Sequence, residues 1–432
     1  MDEKQMKCVW LVILFACTSV AQAQPAGFNY DESKVPDYEL PELLQTNAGN
    51  PVTTAVDWQK VRRSEILEMF RTHVYGRVPE DAVTKTVSVI QEESDEALGG
   101  TAVRRQVRLY LKAQGEEPFI DVLIYLPKSR VEEGKSTPIF TGLNFNGNHS
   151  ITTEEEVPVH QKWARNDARV GHRNNRASES SRGATAHRWQ VELLIKSGFG
   201  LATAYYGDID PDYDDGWENG VHGLFDSSKN LKADDWGSIA TWAWGLSRMM
   251  DYFEQDDDID HGRVAVTGLS RLGKTSLWAG AEDERFAIVI STDSGCGGAA
   301  LSRRMFGETV KRINTSFPHW FCDNFVKYND REHRLPVDQH MLVALMAPRP
   351  VYIASAVEDV WADPKGEFLS GREANPVYKL FARRGTIELE QPAINTPIGD
   401  FIGYHMRTGG HDANEYDWEQ YIKFARRHFE MD

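Results

Sequence analysis

From Pro138 to the C-terminus, short apolar runs alternate with stretches of helical period, and few folds are open to a chain built that way. The strand-like runs are Ile139–Phe145, Gly198–Tyr205, Val264–Thr267, Phe286–Ile290 and Pro350–Ala356. Helical patterns are expected near Arg188–Lys196 and over Trp236–Phe253, Lys274–Ala281, Asp338–Leu345 and Tyr416–Phe429. Such alternation predicts a three-layer α/β sandwich, a mostly parallel central sheet with helices on both faces. Upstream, Thr86–Ile90, Val103–Leu111 and Ile120–Leu126 read as antiparallel strands on one edge of the same sheet. The second carries Val103, Val107, Leu109 and Leu111 among polar residues, the pattern of a half-buried strand. A helix is expected from Asp57, its cap, through Val74.

The ends and the one irregular stretch complete the organisation. Lys4 and Lys7 precede an apolar run, Val9–Ala16, and Ala21-Gln22-Ala23 has the small-x-small form of a cleavage site. Residues 1–23 therefore read as an export signal, too short to span a bilayer. Leu14-Phe15-Ala16-Cys17 is a poor lipoprotein box because Phe15 is bulky, so a secreted or periplasmic protein is expected over a lipid-anchored one. Residues 24–56 read as an extended arm and 57–432 as one catalytic domain. Residues 149–186, rich in Arg, Asn, Ser and Glu, fall just after a strand's carboxyl end, where α/β sheets bind ligands, so an insertion lining a site is expected. Outside the signal only Cys296 and Cys322 remain, and bonded or free are both open. With 48 basic and 65 acidic residues, the chain carries a net charge of −17, which excludes a polyanion such as nucleic acid as partner.

The sharpest local signal is Val264-Ala265-Val266-Thr267-Gly268-Leu269-Ser270-Arg271-Leu272-Gly273-Lys274-Thr275, a strand that breaks at a tight turn and becomes helix. Two chemistries use that shape. Gly268 and Gly273-Lys274-Thr275 satisfy the spacing of a phosphate cradle, with Lys274 on phosphates and Thr275 on Mg²⁺. Export argues against that reading, as does the late position in the chain. The alternative is a nucleophile elbow, in which Ser270 is lifted clear of the sheet; the second glycine comes one residue later than usual.

An elbow needs an acid and then a histidine further along the chain, because a serine hydroxyl is a weak nucleophile until an imidazole takes its proton. His411 follows a Gly-Gly turn just before the last helix. Asp359 follows the strand ending at Ala356, and Asp293 follows the strand after the nucleophile helix; either carboxylate, or both, can orient His411. His405 and His428 read as structural.

These segments resemble carbohydrate esterase family 15, the glucuronoyl esterases. The resemblance rests on Gly268-Leu-Ser-Arg-Leu-Gly-Lys274, Asp293-Ser-Gly-Cys-Gly-Gly298, Glu358-Asp-Val-Trp-Ala-Asp-Pro364 and Gly410-His-Asp412, within a match from about Trp58 to Phe429. It implies an α/β-hydrolase fold and a serine esterase, free of metal or other cofactor, that cleaves esters between glucuronic or 4-O-methylglucuronic acid of xylan and lignin-type alcohols. It also implies that Arg271 faces the developing oxyanion, that Lys274 and Glu308 bind sugar hydroxyls, and that Trp361 covers the sugar. Many members carry Glu where this chain has Asp293, which shortens that carboxylate's reach by one methylene. The expected partner is a glucuronoxylan or lignin–carbohydrate ester, met by a monomer without a membrane span. Another carbohydrate esterase, such as a deacetylase, and a non-catalytic glycan-binding protein are the alternatives.

Overall fold

In the computed structural model, residues 24–79, 86–112, 115, 117–216, 218–225, 231–385 and 390–431 are described; the expected export signal lies outside them. Nine strands form one sheet. They are β1 (Val87–Glu96), β2 (Ala102–Tyr110), β3 (Phe119–Pro127), β4 (Thr137–Asn144), β5 (Gly200–Tyr205), β6 (Ile259–Leu269), β7 (Ile288–Thr292), β8 (Val351–Ala356) and β9 (Ile402–Arg407), in the order β1-β2-β3-β5-β4-β6-β7-β8-β9. β1, β2 and β3 pair antiparallel, and β3 joins β5 antiparallel. Every pairing from β5 through β9 is parallel. The parallel half has apolar side chains buried on both faces, as the continuous hydrophobic runs required. On one face lie the helices Arg63–Phe70, Ser238–Phe253, Arg271–Glu282, Gln339–Ala344 and Pro364–Leu380; on the other lie Val191–Lys196 and the terminal Glu415–His428.

Three local differences from the sequence reading have physical reasons. β2 is not half-buried: Arg104 and Arg105 are covered as well, because carboxylates satisfy them. Arg104 meets Glu92 at 2.8 Å and Glu154 at 2.8 Å, and Arg105 meets Asp256 at 2.9 Å. The helix expected over 57–74 runs from Ala55 to Tyr75 as two α-helical pieces separated by a wider π-helical turn, Trp58–Arg62, and it ends in a second, Arg71–Tyr75. The helix Pro364–Leu380 was not anticipated, since Gly366, Gly371 and Pro376 dilute its period. Its start is nonetheless encoded: Asp363 accepts from Gly366 N at 3.0 Å and Pro364 occupies the first turn.

The segment 149–186 contains short 3₁₀ turns and is bonded both within itself and to the body. Within it, Arg182 donates to the carbonyls of Glu154 and Val157 at 2.7 Å each; outward, Glu154 accepts from Tyr125 Oη at 2.6 Å and Leu98 N at 2.9 Å, and Arg165 donates to the Asp212 carbonyl at 2.7 Å. Cys296 and Cys322 are separate buried thiols. Among the described residues no helix is long and apolar enough to cross a membrane.

Trp278, on the inner face of the helix Arg271–Glu282, is fully buried and stacks on Tyr75 with ring centroids 4.4 Å apart. That contact ties the helix behind Ser270 to the N-terminal helical segment. Trp278→Ala is expected to lower unfolding free energy by about 3–5 kcal/mol, measured by chemical denaturation, with Trp278→Phe losing roughly half as much.

Candidate active site

At the end of β6 the chain reverses within one residue. Ser270 has φ 61° and ψ −127°, a conformation that costs a non-glycine residue about 1–3 kcal/mol. Two hydrogen bonds hold it there, Ser270 N to Thr292 O at 2.8 Å and Gly273 N to Ser270 O at 2.9 Å. The flanking glycines are steric necessities. A Cβ on Gly268 would lie 2.0 Å from the Leu272 carbonyl oxygen, and one on Gly273 would lie 3.0 Å from both Gly268 O and Ser294 Cβ. The second glycine comes one residue late because that position, in the first helical turn, presses against the end of β7. The phosphate-cradle reading fails on the same geometry. Thr275 Oγ1 donates to the Arg271 carbonyl at 2.9 Å, and Lys274 is buried with its ammonium on the Ser294 carbonyl.

The loops after β8 and β9 bring an acid and an imidazole together. His411 Nδ1 lies 2.6 Å from Asp359 Oδ2. A carboxylate accepts, so Nδ1 is the donor in this bond, and in the neutral ring that leaves the lone pair on Nε2. The imidazole side chain is 42% exposed and its carboxylate partner 5%. The two loops are zipped by Val357 N to Arg407 O at 2.9 Å and Glu358 N to Gly409 O at 3.0 Å. Arg407 braces the histidine loop from below, donating to the carbonyls of Thr408 at 3.0 Å, Gly410 at 3.2 Å and Asp412. It is itself held by Asp417 at 2.8 Å, whose other oxygen takes His405 Nε2 at 2.9 Å. His405 is thus a buried strut, and His428 bonds the Asp400 carbonyl at 2.9 Å, before the start of β9 and away from the His411 loop that follows it.

Asp293 stands beside this pair. It has φ 44°, its Oδ2 is 3.4 Å from Arg407 Nη2, and Oδ1 is buried with no partner among the described residues. Its nearest carboxylate oxygen, that of Asp359 and a ring nitrogen of His411 all lie within 4.8 Å of one another. Three such groups also make a donor set that a divalent cation could take, although Nδ1 is engaged by Asp359. Burial and then the Asp359 charge push the Asp293 carboxyl well above the usual range, against Arg407. The turn carrying Asp293 is pinned by Glu367 of the helix Pro364–Leu380, which accepts from Ser294 N at 2.7 Å, Gly295 N at 2.9 Å and Ser355 Oγ at 2.6 Å.

A cationic slot opens on the other side of Ser270. The Arg271 guanidinium sits 4.7 Å from the Trp320 ring centre and 5.6 Å from those of Phe145 and Phe317. Its Nη1 pairs with Asp212, a fully buried carboxylate that also binds His319, Trp320, Tyr206 and Arg165. Burial opposes the charge of Arg271, but Asp212 raises its pKa above the ordinary value. Lys274, one turn further along, is lowered by burial against the pull of Glu308; burial raises Glu308 against Lys274 and Arg271. Glu308 N donates to Trp361 O at 3.0 Å. Trp361 in turn packs edge-on against Phe28 of the N-terminal arm, with ring centres 4.9 Å apart. Glu32 fastens that arm to Arg304 at 2.7 Å and Lys365 at 2.6 Å.

Of the residues expected from sequence, His411 and Asp359 are hydrogen-bonded with Asp293 beside them, Arg271 and Lys274 lie in the helix that begins after Ser270, and Glu308 and Trp361 are joined through their backbones. What the sequence reading omitted are the residues that hold those groups: Asp212, Arg407, Asp417 and Glu367. Asp212 and Glu367 act on residues 59 and 73 positions away, and Arg407 and Asp417 sit within a strand and a helix where a charged residue has no local pattern to mark its role.

Comparison with known proteins places this geometry. A family profile described as "Glucuronyl esterase, fungi" matches residues 219–382. Carbohydrate esterase MZ0003, from an unknown prokaryotic organism, is 49% identical over 431 residues, covering 98% of each chain. A solved structure of a promiscuous CE15 esterase from a marine bacterial metagenome is 50% identical with a TM-score of 0.86, covering 93% of this chain and 100% of that one. The glucuronoyl esterase from Solibacter usitatus is 45% identical, also with a TM-score of 0.86, covering 92% and 100%.

Glu367 makes the site sensitive to pH. Burial, the largest effect, pushes its carboxyl up to about 7 against the hydrogen bonds it accepts. A carboxyl raised on folding binds more protons in the native state, so its contribution to stability falls as pH rises between the unfolded and folded values. Over about pH 4.5 to 7, the stability of the wild type relative to Glu367→Gln is expected to fall by up to about 3 kcal/mol, measured by denaturant titration at several pH values. A difference independent of pH would remove this role.

Proposed function

Because the chain belongs to carbohydrate esterase family 15, the glucuronoyl esterases, we propose that it is the carboxylic ester hydrolase that cleaves the ester between (4-O-methyl-)glucuronic acid of glucuronoxylan and a lignin-type alcohol. The observation that carries this reading is the strained Ser270 turn at the end of β6, accompanied by the His411–Asp359 hydrogen bond on the loops after β9 and β8, and by Arg271 and Lys274 in the helix the turn begins, whose charges act on Glu308. The first arrangement suits acyl transfer; the second suits an acyl group that is a sugar acid.

In this reading Ser270 Oγ attacks the uronoyl carbonyl while His411 Nε2 takes its proton. Asp359 fixes the tautomer and stabilises the imidazolium that forms. Negative charge gathers on the former carbonyl oxygen, and the backbone N–H and guanidinium of Arg271 meet it; a fixed charge in a partly desolvated slot needs no reorganisation as the charge appears. The tetrahedral intermediate collapses, His411 returns the proton to the leaving alcohol, and water repeats the sequence on the acyl-enzyme. Lys274 presents a buried donor and Glu308 a half-buried acceptor for ring hydroxyls, and Trp361 closes over the sugar face. Asp293, close enough to act on Asp359 electrostatically and held by Arg407, supports the pair without bonding His411. Export ahead of action belongs to the same reading, resting on Lys4, Lys7 and the Ala21–Ala23 cleavage pattern.

Ser270→Ala is expected to abolish hydrolysis of benzyl and methyl glucuronate while leaving the fold unchanged by circular dichroism; retained turnover would refute the nucleophile. Asp359→Asn should lower kcat by about a thousandfold or more, as loss of the orienting acid does elsewhere. Asp293→Asn should cost about fivefold or less; the reverse ranking transfers the acid's role to Asp293. Lys274→Ala should reduce kcat/KM on glucuronate esters at least about tenfold more than on an acetyl ester. Equal losses on the two esters would move the reading toward a general carbohydrate deacylase.

A further inference from the structure

Asp212 has no place in the reaction steps above, yet it is among the most heavily engaged side chains in the molecule. It follows β5 in an irregular stretch, 0% exposed. Oδ1 accepts from His319 Nε2 at 2.9 Å and from Trp320 Nε1 at 2.8 Å. Oδ2 accepts from Tyr206 Oη at 3.0 Å, from Arg165 Nη2 at 3.0 Å and from Arg271 Nη1. Arg165 reaches it from the insertion and also donates to the Asp212 carbonyl at 2.7 Å. A buried carboxylate with so many donors cannot turn or move without leaving several of them unpaired.

The guanidinium on the other side is in a contrasting position. Within the slot of Phe145, Phe317 and Trp320 its one polar tether among the described residues is Asp212; Nε is buried without a partner. Aromatic faces attract a cation but do not fix its rotation about the ring normal. What sets the direction of the free edge of Arg271 is therefore the Nη1–Asp212 bond. An oxyanion donor is effective only if its N–H already points where the charge will form.

We propose that Asp212 is the positioning residue for the oxyanion-binding face of Arg271, fixing its rotation in the aromatic slot so that a guanidinium N–H that Asp212 does not engage points to where the oxyanion forms. The inference rests on the esterase reading for its chemistry but not for its substrate. It assigns the insertion a part as well: Arg165 shares the carboxylate with Arg271, so two cations flank one anion and the slot keeps net positive charge.

The test is a double-mutant cycle on the mature protein with Asp212→Asn, Arg271→Ala and the double variant. Two rates are read: kcat and KM on benzyl glucuronate, and the second-order rate of Ser270 labelling by a neutral alkyl fluorophosphonate, whose attack also builds charge on oxygen whatever the acyl group preferred. Asp212→Asn should lower kcat and labelling rate about tenfold to a hundredfold, with KM changed less than about threefold. In the Arg271→Ala background the same change should cost less than about twofold, because the group it positions is gone. Equal losses in both backgrounds, or an Asp212→Asn enzyme within about twofold of wild type, would overturn the proposal. If Asp212→Asn does not fold, Asp212→Glu keeps the charge and moves the carboxylate by one methylene; a loss dependent on Arg271 supports the proposal and an independent one overturns it. A wild type that labels normally but leaves glucuronate esters intact would defeat the substrate reading alone, and the labelling cycle would still decide the role of Asp212.

Discussion

A serine held at φ 61° at the end of β6 is the constraint around which the parallel half of the sheet is arranged. The turn is unfavourable by about 1–3 kcal/mol and persists only because its surroundings leave it no alternative. β7 supplies the carbonyl that takes its N–H, Gly268 and Gly273 remove the side chains that would collide, and the helix beginning at Arg271 is anchored through Trp278 on Tyr75. The result is a half-buried serine at the carboxyl edge of the sheet, where the loops after β4, β5, β7, β8 and β9 also begin. The site is thus a product of parallel topology: strands that run the same way deliver their loops to one rim.

Charge is segregated across that rim. On the β8–β9 side stand Asp359, Asp293 and His411, braced by Arg407 and Asp417; on the β5–β6 side stand Arg271 and Lys274, countered by Asp212 and Glu308. In the proposed reaction the first group supplies the proton acceptor and the second the anion acceptor, the two roles that an acyl-transfer transition state requires. The cost is a set of buried ionisable groups, each tolerable only because it is paired or hydrogen-bonded. This is why so many of the supporting residues are acids and arginines in a region that is otherwise apolar.

The legible parts of this architecture were those with a local signature. The strand–turn–helix at Val264–Thr275 declares itself through β-branched residues, two glycines and a return to helical period, and the order serine, acid, histidine follows from chain position. The parallel strands are near-continuous apolar runs, so their existence, though not their ends, could be read. Asp212 could not: it pairs with a residue 59 positions away in a stretch without period, and only folding brings the two together. The helix Pro364–Leu380 was hidden because Gly366, Gly371 and Pro376 weaken its pattern, and with it went Glu367, which pins the turn of Asp293. The half-buried reading of β2 erred because alternation reports polarity, and Arg104 and Arg105 are polar yet buried against carboxylates.

The central claim is that turnover passes through a covalent ester on Ser270. Rapid quenching of the enzyme during hydrolysis of benzyl glucuronate, followed by peptide mass spectrometry, reads it directly. The account predicts a transient uronoyl adduct on the peptide containing Ser270, formed as benzyl alcohol is released and lost as free acid appears. Full turnover with no adduct on that peptide, or with one on a different residue, would contradict it.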